Sequence, residues 1–492
     1  MPEFVGAEGA ASFRDPSGFV FLHQGVIYRQ VNSSYQRDYE ILVGSGLYQR
    51  LVDRGLLIAH EEVELVEFDR PLPSAYKFLR PEPVSFISYP YEWCFSQLRD
   101  AALLTLAIQR EAIALGMTLK DCTAYNVQFE RGKAIFIDTL SFEEYQEGEP
   151  WVAYRQFCQH FLAPLALMSL TDIRLNQLSR TNLDGVPLDL AARLLPFRSR
   201  FSFSLAIHIH LHARLQATSA NRHTRLAGQG KSRAGERTFS RRALLGLVDH
   251  LETAIKRLRW NPGRSAWSAY DQEHLYAPVT LKKKEEVVGA YLDHLCPSSV
   301  WDLGANTGRF SRVAADRGAR VVAFDLDPCC VELNYRRSVE EQQTRILPLL
   351  LDVTNPSPGS GWLNRERASF LSRGPVDTVL ALALVHHLAI TNNLPLIRIA
   401  EFLRHAGRSL IMEFVPKDDP QVERLLASRK DVFPDYHVRA FERDFQEYFD
   451  IEAAETLPNS SRILYRMRAR GGEPSRQSIF DRVKHHGHRI RE

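Results

Sequence analysis

Val300-Trp301-Asp302-Leu303-Gly304-Ala305-Asn306-Thr307-Gly308 is an apolar run that ends in a turn bounded by two glycines and opens onto Arg309-Phe310-Ser311-Arg312. The pattern predicts the first strand, turn and first helix of a Rossmann-type domain, with Gly304 and Gly308 admitting a ligand where a Cβ would collide. Asn306 stands where such turns often carry their middle glycine, and asparagine tolerates left-handed backbone better than most residues. Asp302, beside the turn, is a candidate ligand contact; a plain turn-forming role is its alternative.

Outward from that turn, 320–325 is a second apolar strand ending in Asp325, about twenty residues after Gly304, where a carboxylate is expected to accept the protons of a ribose diol. The run 346–351 ends in Asp352-Val353, 377–384 closes on Val385-His386-His387, and 409–414 carries Glu413 near its end. Upstream, helices are predicted over 244–258 and 283–295, with Tyr270 and Tyr276 either packing on the sheet or covering the ligand. The expected fold class is α/β, a doubly wound Rossmann-like sheet in the C-terminal half joined to an N-terminal α+β domain. A dinucleotide enzyme would share the same turn and acid.

The full series, Asp-Leu-Gly-Ala-Asn-Thr-Gly, then Phe-Asp325-Leu-Asp327-Pro, Leu-Asp352-Val and His386-His387, resembles the motifs of class I S-adenosylmethionine-dependent methyltransferases. More narrowly, Tyr-Asn-Val-Gln-Phe at 125–129, Phe-Ile-Asp-Thr-Leu-Ser-Phe at 136–142 and Glu-Phe-Val-Pro-Lys-Asp-Asp-Pro at 413–420 look like the bacterial nodulation-protein NoeA-like methyltransferases. The resemblance implies S-adenosyl-L-methionine as cofactor, with Asp302, Gly304, Ala305, Asn306 and Gly308 at its methionine end. It places Asp325 on the ribose, Leu326 on the adenine face, Asp352 and Val353 at the adenine edge, and Leu382 with Ala383 beneath. The sulfonium already activates the methyl group, so the protein must align an acceptor, exclude water and, for an alcohol, help remove a proton. His387 or His386, at a strand end facing the acceptor, is the candidate base, with His387 preferred; a packing role for the pair is the alternative. Glu413 is a lesser candidate for acceptor contact.

The first two hundred residues read as a β-hairpin (19–22 and 26–31), a helix around 41–57, strands at 63–68, 76–79 and 84–88, a hinge, and a helix over 96–115. Next come Asp121, Asn126 five residues on, a hairpin, and Asp138 ending an apolar strand, an order that resembles the catalytic and metal-binding loops of protein-kinase-like and aminoglycoside-phosphotransferase-like folds. By that resemblance Asp121 would be a base, and Asn126 and Asp138 metal ligands, if the domain is active. The sequence departs from the pattern. No glycine-rich loop precedes Arg29, no lysine precedes Lys77, and Leu119 stands where histidine is usual. Arg29 is a candidate substitute for the missing lysine, although a guanidinium fork is not a point charge. The alternative is that Asp121 and Asn126 order a turn and Asp138 caps the helix or turn after it.

Core helices are expected over 151–213. The stretch 213–244, rich in Arg, Lys, Ser, Gly and Ala and almost free of acids, reads as a basic linker, with an anionic-surface strip as the alternative. The expected organisation is a degenerate kinase-like domain over 1–212, a linker over 213–243, a methyltransferase domain over 244–468 and a charged tail over 469–492, whose His485, His486 and His488 lack partners for a metal site. With 492 residues, 45% hydrophobic and 25% charged, and a net charge of +3, the chain has the composition of an ordinary folded protein with no global bias toward nucleic acid or membrane. Six scattered cysteines without CxxC spacing fit a reducing, cytoplasmic setting.

Three functions are expected from these features. The first is a methyltransferase acting on a hydroxyl of a saccharide or small molecule, and the second adds ATP-dependent phosphotransfer. The third is a non-catalytic scaffold that binds the adenosyl ligand.

Overall fold

In the computed structural model the described residues are 12–64, 74–215, 239–263, 278–427 and 430–471. Tyr270, Tyr276, the charged tail from 472 and most of the basic stretch, 216–238, lie outside them. The chain forms two compact units: Met1–Gly263 with Val331–Thr344 and Pro358–Ser369, and Arg264–Cys330 with Arg345–Ser357 and Phe370–Glu492.

The first unit opens on strands β1 (Gly18–His23) and β2 (Val26–Asn32). Gln24 and Gly25 join them, both at positive φ, as a two-residue hairpin between twisted strands demands. Strands β3 (His60–Val63) and β4 (Ala75–Pro81) complete an antiparallel sheet in the order β1-β2-β4-β3. The single helix expected around 41–57 is two, Gln36–Gly44 and Leu47–Asp53, broken where Gly46 takes φ 77°. The strand expected at 84–88 does not form. Side chains take its donors instead: Ser85 N–H gives to Glu130 at 2.8 Å and Ser88 N–H to Gln128 at 2.8 Å.

Helix Phe95–Ala114 runs through the centre of this unit, burying Phe95, Leu98, Ala102, Leu106, Ile108 and Ile113. It leads to β5 (Met117–Leu119), the hairpin β6 (Val127–Glu130) and β7 (Lys133–Phe136), and β8 (Phe142–Glu144), which pairs back on β5. Helix Arg241–Arg257, expected to open the second domain, belongs to the first unit. Its apolar face of Leu244, Val248, Leu251 and Ile255 is buried, and Arg110 of the central helix pairs with Asp249 and Glu252.

The second unit is built on β9 (Ser299–Leu303), β10 (Arg320–Asp325), β11 (Ile346–Leu350), β12 (Val376–Ala381), β13 (Gly407–Phe414), β14 (Phe449–Thr456) and β15 (Ile463–Ala469). Their order is β11-β10-β9-β12-β13-β15-β14, with β9 to β13 parallel and β15 antiparallel to both neighbours. The chain winds outward from β9 to β11 and then restarts on the other side of β9 at β12. Such a reversal leaves a crevice beyond the carboxyl ends of the two central strands. Both faces of the sheet are covered, so its strands read as continuous apolar runs. Val300, Val321, Leu380 and Ile411 pack with Val288 and Leu292 of helix Pro278–Leu295 on one side. On the other, Trp301 lies 4.5 Å from Phe370 between ring centroids. No helix among the described residues is long and apolar enough to cross a membrane.

Candidate functional site

The quoted turn sits at the carboxyl end of β9, at the sheet's reversal. Gly304, Asn306 and Gly308 hold φ of 76°, 50° and 83°, the left-handed region that glycine enters freely and asparagine more readily than most. The N–H groups of Gly304 and Ala305 both donate to the Phe324 carbonyl at 2.9 Å, and that of Asn306 donates to Asp325 Oδ2 at 2.7 Å. Asp325 Oδ1 accepts from Asp327 N–H at 2.8 Å. The glycine turn and the acid twenty residues later are therefore one hydrogen-bonded piece. Asp302 is buried, and its Oδ2 accepts from Ser311 Oγ at 2.6 Å, tying helix Arg309–Ala315 to β9.

Burial pushes the Asp325 carboxyl up to about 6 against the opposing amides of Asp327 and Asn306. It does the same to Asp302, also to about 6, where the Ser311 hydroxyl opposes and the Asp325 charge adds. Leu326, next to Asp325, is 66% exposed. Asp352 accepts from the N–H and hydroxyl of Thr354 at 2.8 and 2.6 Å in a local turn, with Val353 half-buried beside it. Leu382 and Ala305 are buried in the sheet's core cluster. Ala383 takes φ 51° just past β12, a conformation costing a non-glycine residue about 1–2 kcal/mol and typical of segments shaped around a ligand.

His386 and His387 come next, with ring centroids 4.0 Å apart. His386 is fully buried and neither ring nitrogen has a hydrogen-bond partner among the described residues. Burial, helped by His387, Arg462 and Lys284, holds its pKa well below the usual range. His387 is half-buried and is lowered to about 4 by burial and then by Arg462. Both imidazoles are therefore neutral near pH 7, with lone pairs to offer.

Close by lies a group of buried charges whose cations, Lys284 and Arg462, sequence reading missed. Lys284 Nζ reaches Glu413 Oε2 at 2.7 Å, Arg462 Nη1 lies 3.6 Å from Glu413 Oε1, and Arg462 grips Asp419 through Nε and Nη2 at 2.6 and 3.0 Å. All four side chains are buried. Glu413, expected as an acceptor contact, pairs with Lys284 and lies beside Arg462, whose closer carboxylate is Asp419. Lys284 was hidden inside the charged run Lys282-Lys283-Lys284, which reads as a solvated face.

Asp121, Asn126 and Asp138 do converge, with Arg29, Arg155 and His160, on one cleft of about 580 Å³ in the first unit. Their bonds there are structural. Asp138 is ion-paired to Arg29 and accepts from Ser141 Oγ, which in turn accepts from Asn126 Nδ2 at 3.1 Å. Asp121 Oδ1 accepts from Thr123 N–H at 2.9 Å. A magnesium ion would have to displace Arg29 and Ser141 from Asp138, so these residues as arranged do not fit a metal. Among the described residues no group of His, Cys, Asp and Glu is arranged to hold one.

No family model matches the chain. Nodulation protein NoeA of Rhizobium meliloti strain 1021 is 38% identical over 458 residues, covering 93% of this chain and 95% of that protein. Among solved structures, magnesium protoporphyrin IX methyltransferase (ChlM) from Synechocystis PCC 6803 with bound SAH is 18% identical, covering 43% of this chain and 90% of that one, with a TM-score of 0.30. A SAM-dependent methyltransferase from Aquifex aeolicus is 15% identical, covering 43% of this chain and 100% of that one, with a TM-score of 0.29.

Proposed function

The chain belongs to the NoeA nodulation-protein family, and from that premise we propose that it is a class I S-adenosylmethionine-dependent methyltransferase acting on a hydroxyl of a saccharide or small molecule. The observation that carries this reading is the bond between the Asn306 amide and the Asp325 carboxylate, which fuses the glycine turn and the acid into one cradle at the sheet's reversal. S-adenosylmethionine, when bound, supplies a methyl group already made electrophilic by its sulfonium. Gly304, Ala305, Asn306 and Gly308 would hold its methionine end, with Asp302 fixing the strand and helix between which they lie. Asp325 would accept from the ribose hydroxyls, exposed Leu326 would meet the adenine face, and Asp352, Val353 and Leu382 would complete the adenine side.

His387 is the proposed base. Its low pKa makes it a weak one, yet an oxygen that is gaining a methyl group loses its proton readily, so a neutral imidazole positioned to accept it suffices. Burial first, and then the nearby Arg462 guanidinium, keep both histidines unprotonated near neutral pH, with Lys284 adding to this at His386. The cleft around Asp121, Asn126 and Asp138 supports a ligand-binding role for the first unit better than phosphotransfer, because Arg29 already neutralises Asp138.

The test is release of S-adenosylhomocysteine in the presence of a panel of hydroxylated acceptors, chiefly saccharides. The His387→Ala variant should lose about a hundredfold to ten-thousandfold in kcat at unchanged cofactor affinity. A variant as fast as wild type would remove His387 from the chemistry. Cofactor binding without turnover on any acceptor would favour the scaffold reading instead.

A further inference from the structure

The first unit carries an apolar surface that the proposed methyl transfer does not use. Phe197, Phe201 and Phe203 lie within seven residues on the turn Phe197–Phe201 and helix Phe203–Leu205, and they are 68%, 79% and 72% exposed. Leu194, Leu211 and Leu215 of the same segment are exposed as well. The Phe197 and Phe201 rings lie 5.5 Å apart; folded domains seldom leave three aromatic side chains so close in sequence open to water, and where they do the patch commonly meets a partner or a membrane.

The charge of the same segment says which. Arg198 and Arg200 alternate with the phenylalanines; Arg198 gives one donor to the Leu170 carbonyl at 3.3 Å, and Arg200 lies over the Phe197 ring at 5.2 Å. Neither pairs with a carboxylate among the described residues. From Leu190 to Gly235 the chain has no Asp or Glu, while it carries Arg193, Arg198, Arg200 and Arg214 and then Arg222, Arg225, Lys231 and Arg233. A second copy of this face would set arginine against arginine, which opposes pairing. A nucleic acid would accept the arginines but would leave the leucines in water. Acyl chains beneath a layer of anionic headgroups satisfy both chemistries at once, with Phe and Leu sinking to the headgroup boundary and Arg staying with lipid phosphates.

We propose that the face formed by Phe197, Phe201 and Phe203 with Arg198 and Arg200 docks peripherally on an anionic lipid bilayer. Each phenylalanine contributes apolar burial, and each nearby arginine contributes electrostatic attraction that falls with salt.

Co-sedimentation of the full-length protein with vesicles tests this, using phosphatidylcholine alone and phosphatidylcholine with phosphatidylglycerol added. The wild type should bind the anionic vesicles, more weakly as salt rises, and leave neutral vesicles largely unbound. Phe201→Ser alone, at a side chain open enough to leave the fold intact, should lower the affinity, and the triple change Phe197→Ser, Phe201→Ser, Phe203→Ser should lower it at least about tenfold. Arg198→Gln with Arg200→Gln should lower it about tenfold and flatten the salt dependence. Absence of binding to anionic vesicles, equal binding to both compositions, or unchanged binding by the phenylalanine variants would overturn the proposal. So would a dimer in the wild type that these variants turn into monomers, since the face would then be a subunit contact.

Discussion

A carboxyl group whose pKa lies near 6 changes its hydrogen-bonding character within the range in which the protein is handled. In the proposed cofactor site Asp325 would accept from the two hydroxyls of a ribose, a task for the ionised form; once protonated it has become a donor and gives up part of that capacity. Asp302 behind the turn titrates in the same region. Affinity for S-adenosylmethionine should therefore be level above about pH 7 and fall by up to about tenfold per pH unit below about 6. Titration calorimetry across pH 5 to 8 reads this directly. In Asp325→Asn the affinity should be low and its pH dependence largely gone; a wild-type affinity that does not change between pH 7 and 5 would contradict the placement of Asp325.

At the scale of elements, the parts legible in the sequence were those whose geometry is local. Gly304, Asn306 and Gly308 announce left-handed backbone by residue type, and the runs ending in Asp325 and Asp352 announce buried strands by their unbroken apolar character. The Gln24-Gly25 hairpin was readable for the same reason. The features that could not be read depend on partners far along the chain. The segment 84–88 has a strand-like composition, but Gln128 and Glu130, forty or more residues on, take its donors. Helix Arg241–Arg257 is legible as a helix but not as part of the first unit, because an apolar stripe does not say which core it enters. Strand β15, between β13 and β14, brings Arg462 to Glu413 and Asp419 across more than forty residues, and no spacing rule predicts that meeting. The meeting matters for β13 and its neighbours. Arg462→Ala would leave Asp419 buried without its cationic partner and take one of two cations from Glu413, and should destabilise the second unit by about 3–5 kcal/mol in chemical denaturation. A loss below about 1 kcal/mol would show that the group is solvated and contributes little.

Across the whole molecule several histidines are kept neutral by burial. The pKa of His60 is lowered to about 4, that of His160 to about 3, and those of His208 and His387 to about 4, with desolvation the first cause in each. A histidine in the unfolded chain titrates near 6.5, so between about 6.5 and 4 the unfolded state binds more protons and is favoured as pH falls. Asp302 and Asp325 act the other way, since their protonation near pH 6 relieves a buried charge. They are two groups against these four and His386, also held well below its usual range, and the first unit holds His60, His160 and His208 but neither of these acids. The midpoint of denaturation should accordingly be flat above about pH 7 and decline steadily towards pH 5, most steeply for probes in the first unit. A midpoint that rises on acidification would mean that the histidines are hydrated and titrate normally.

In the proposed function the turn at Gly304 and the acid at Asp325 form a cradle for S-adenosylmethionine. Isothermal titration calorimetry of the full-length protein with that ligand, alongside Asp325→Ala, tests it most directly. One site per chain is expected in the wild type, with loss of about tenfold or more in affinity in the variant, where charge-assisted hydrogen bonds to the ribose would be removed. No heat of binding in the wild type, or equal affinity in the two proteins, would contradict it.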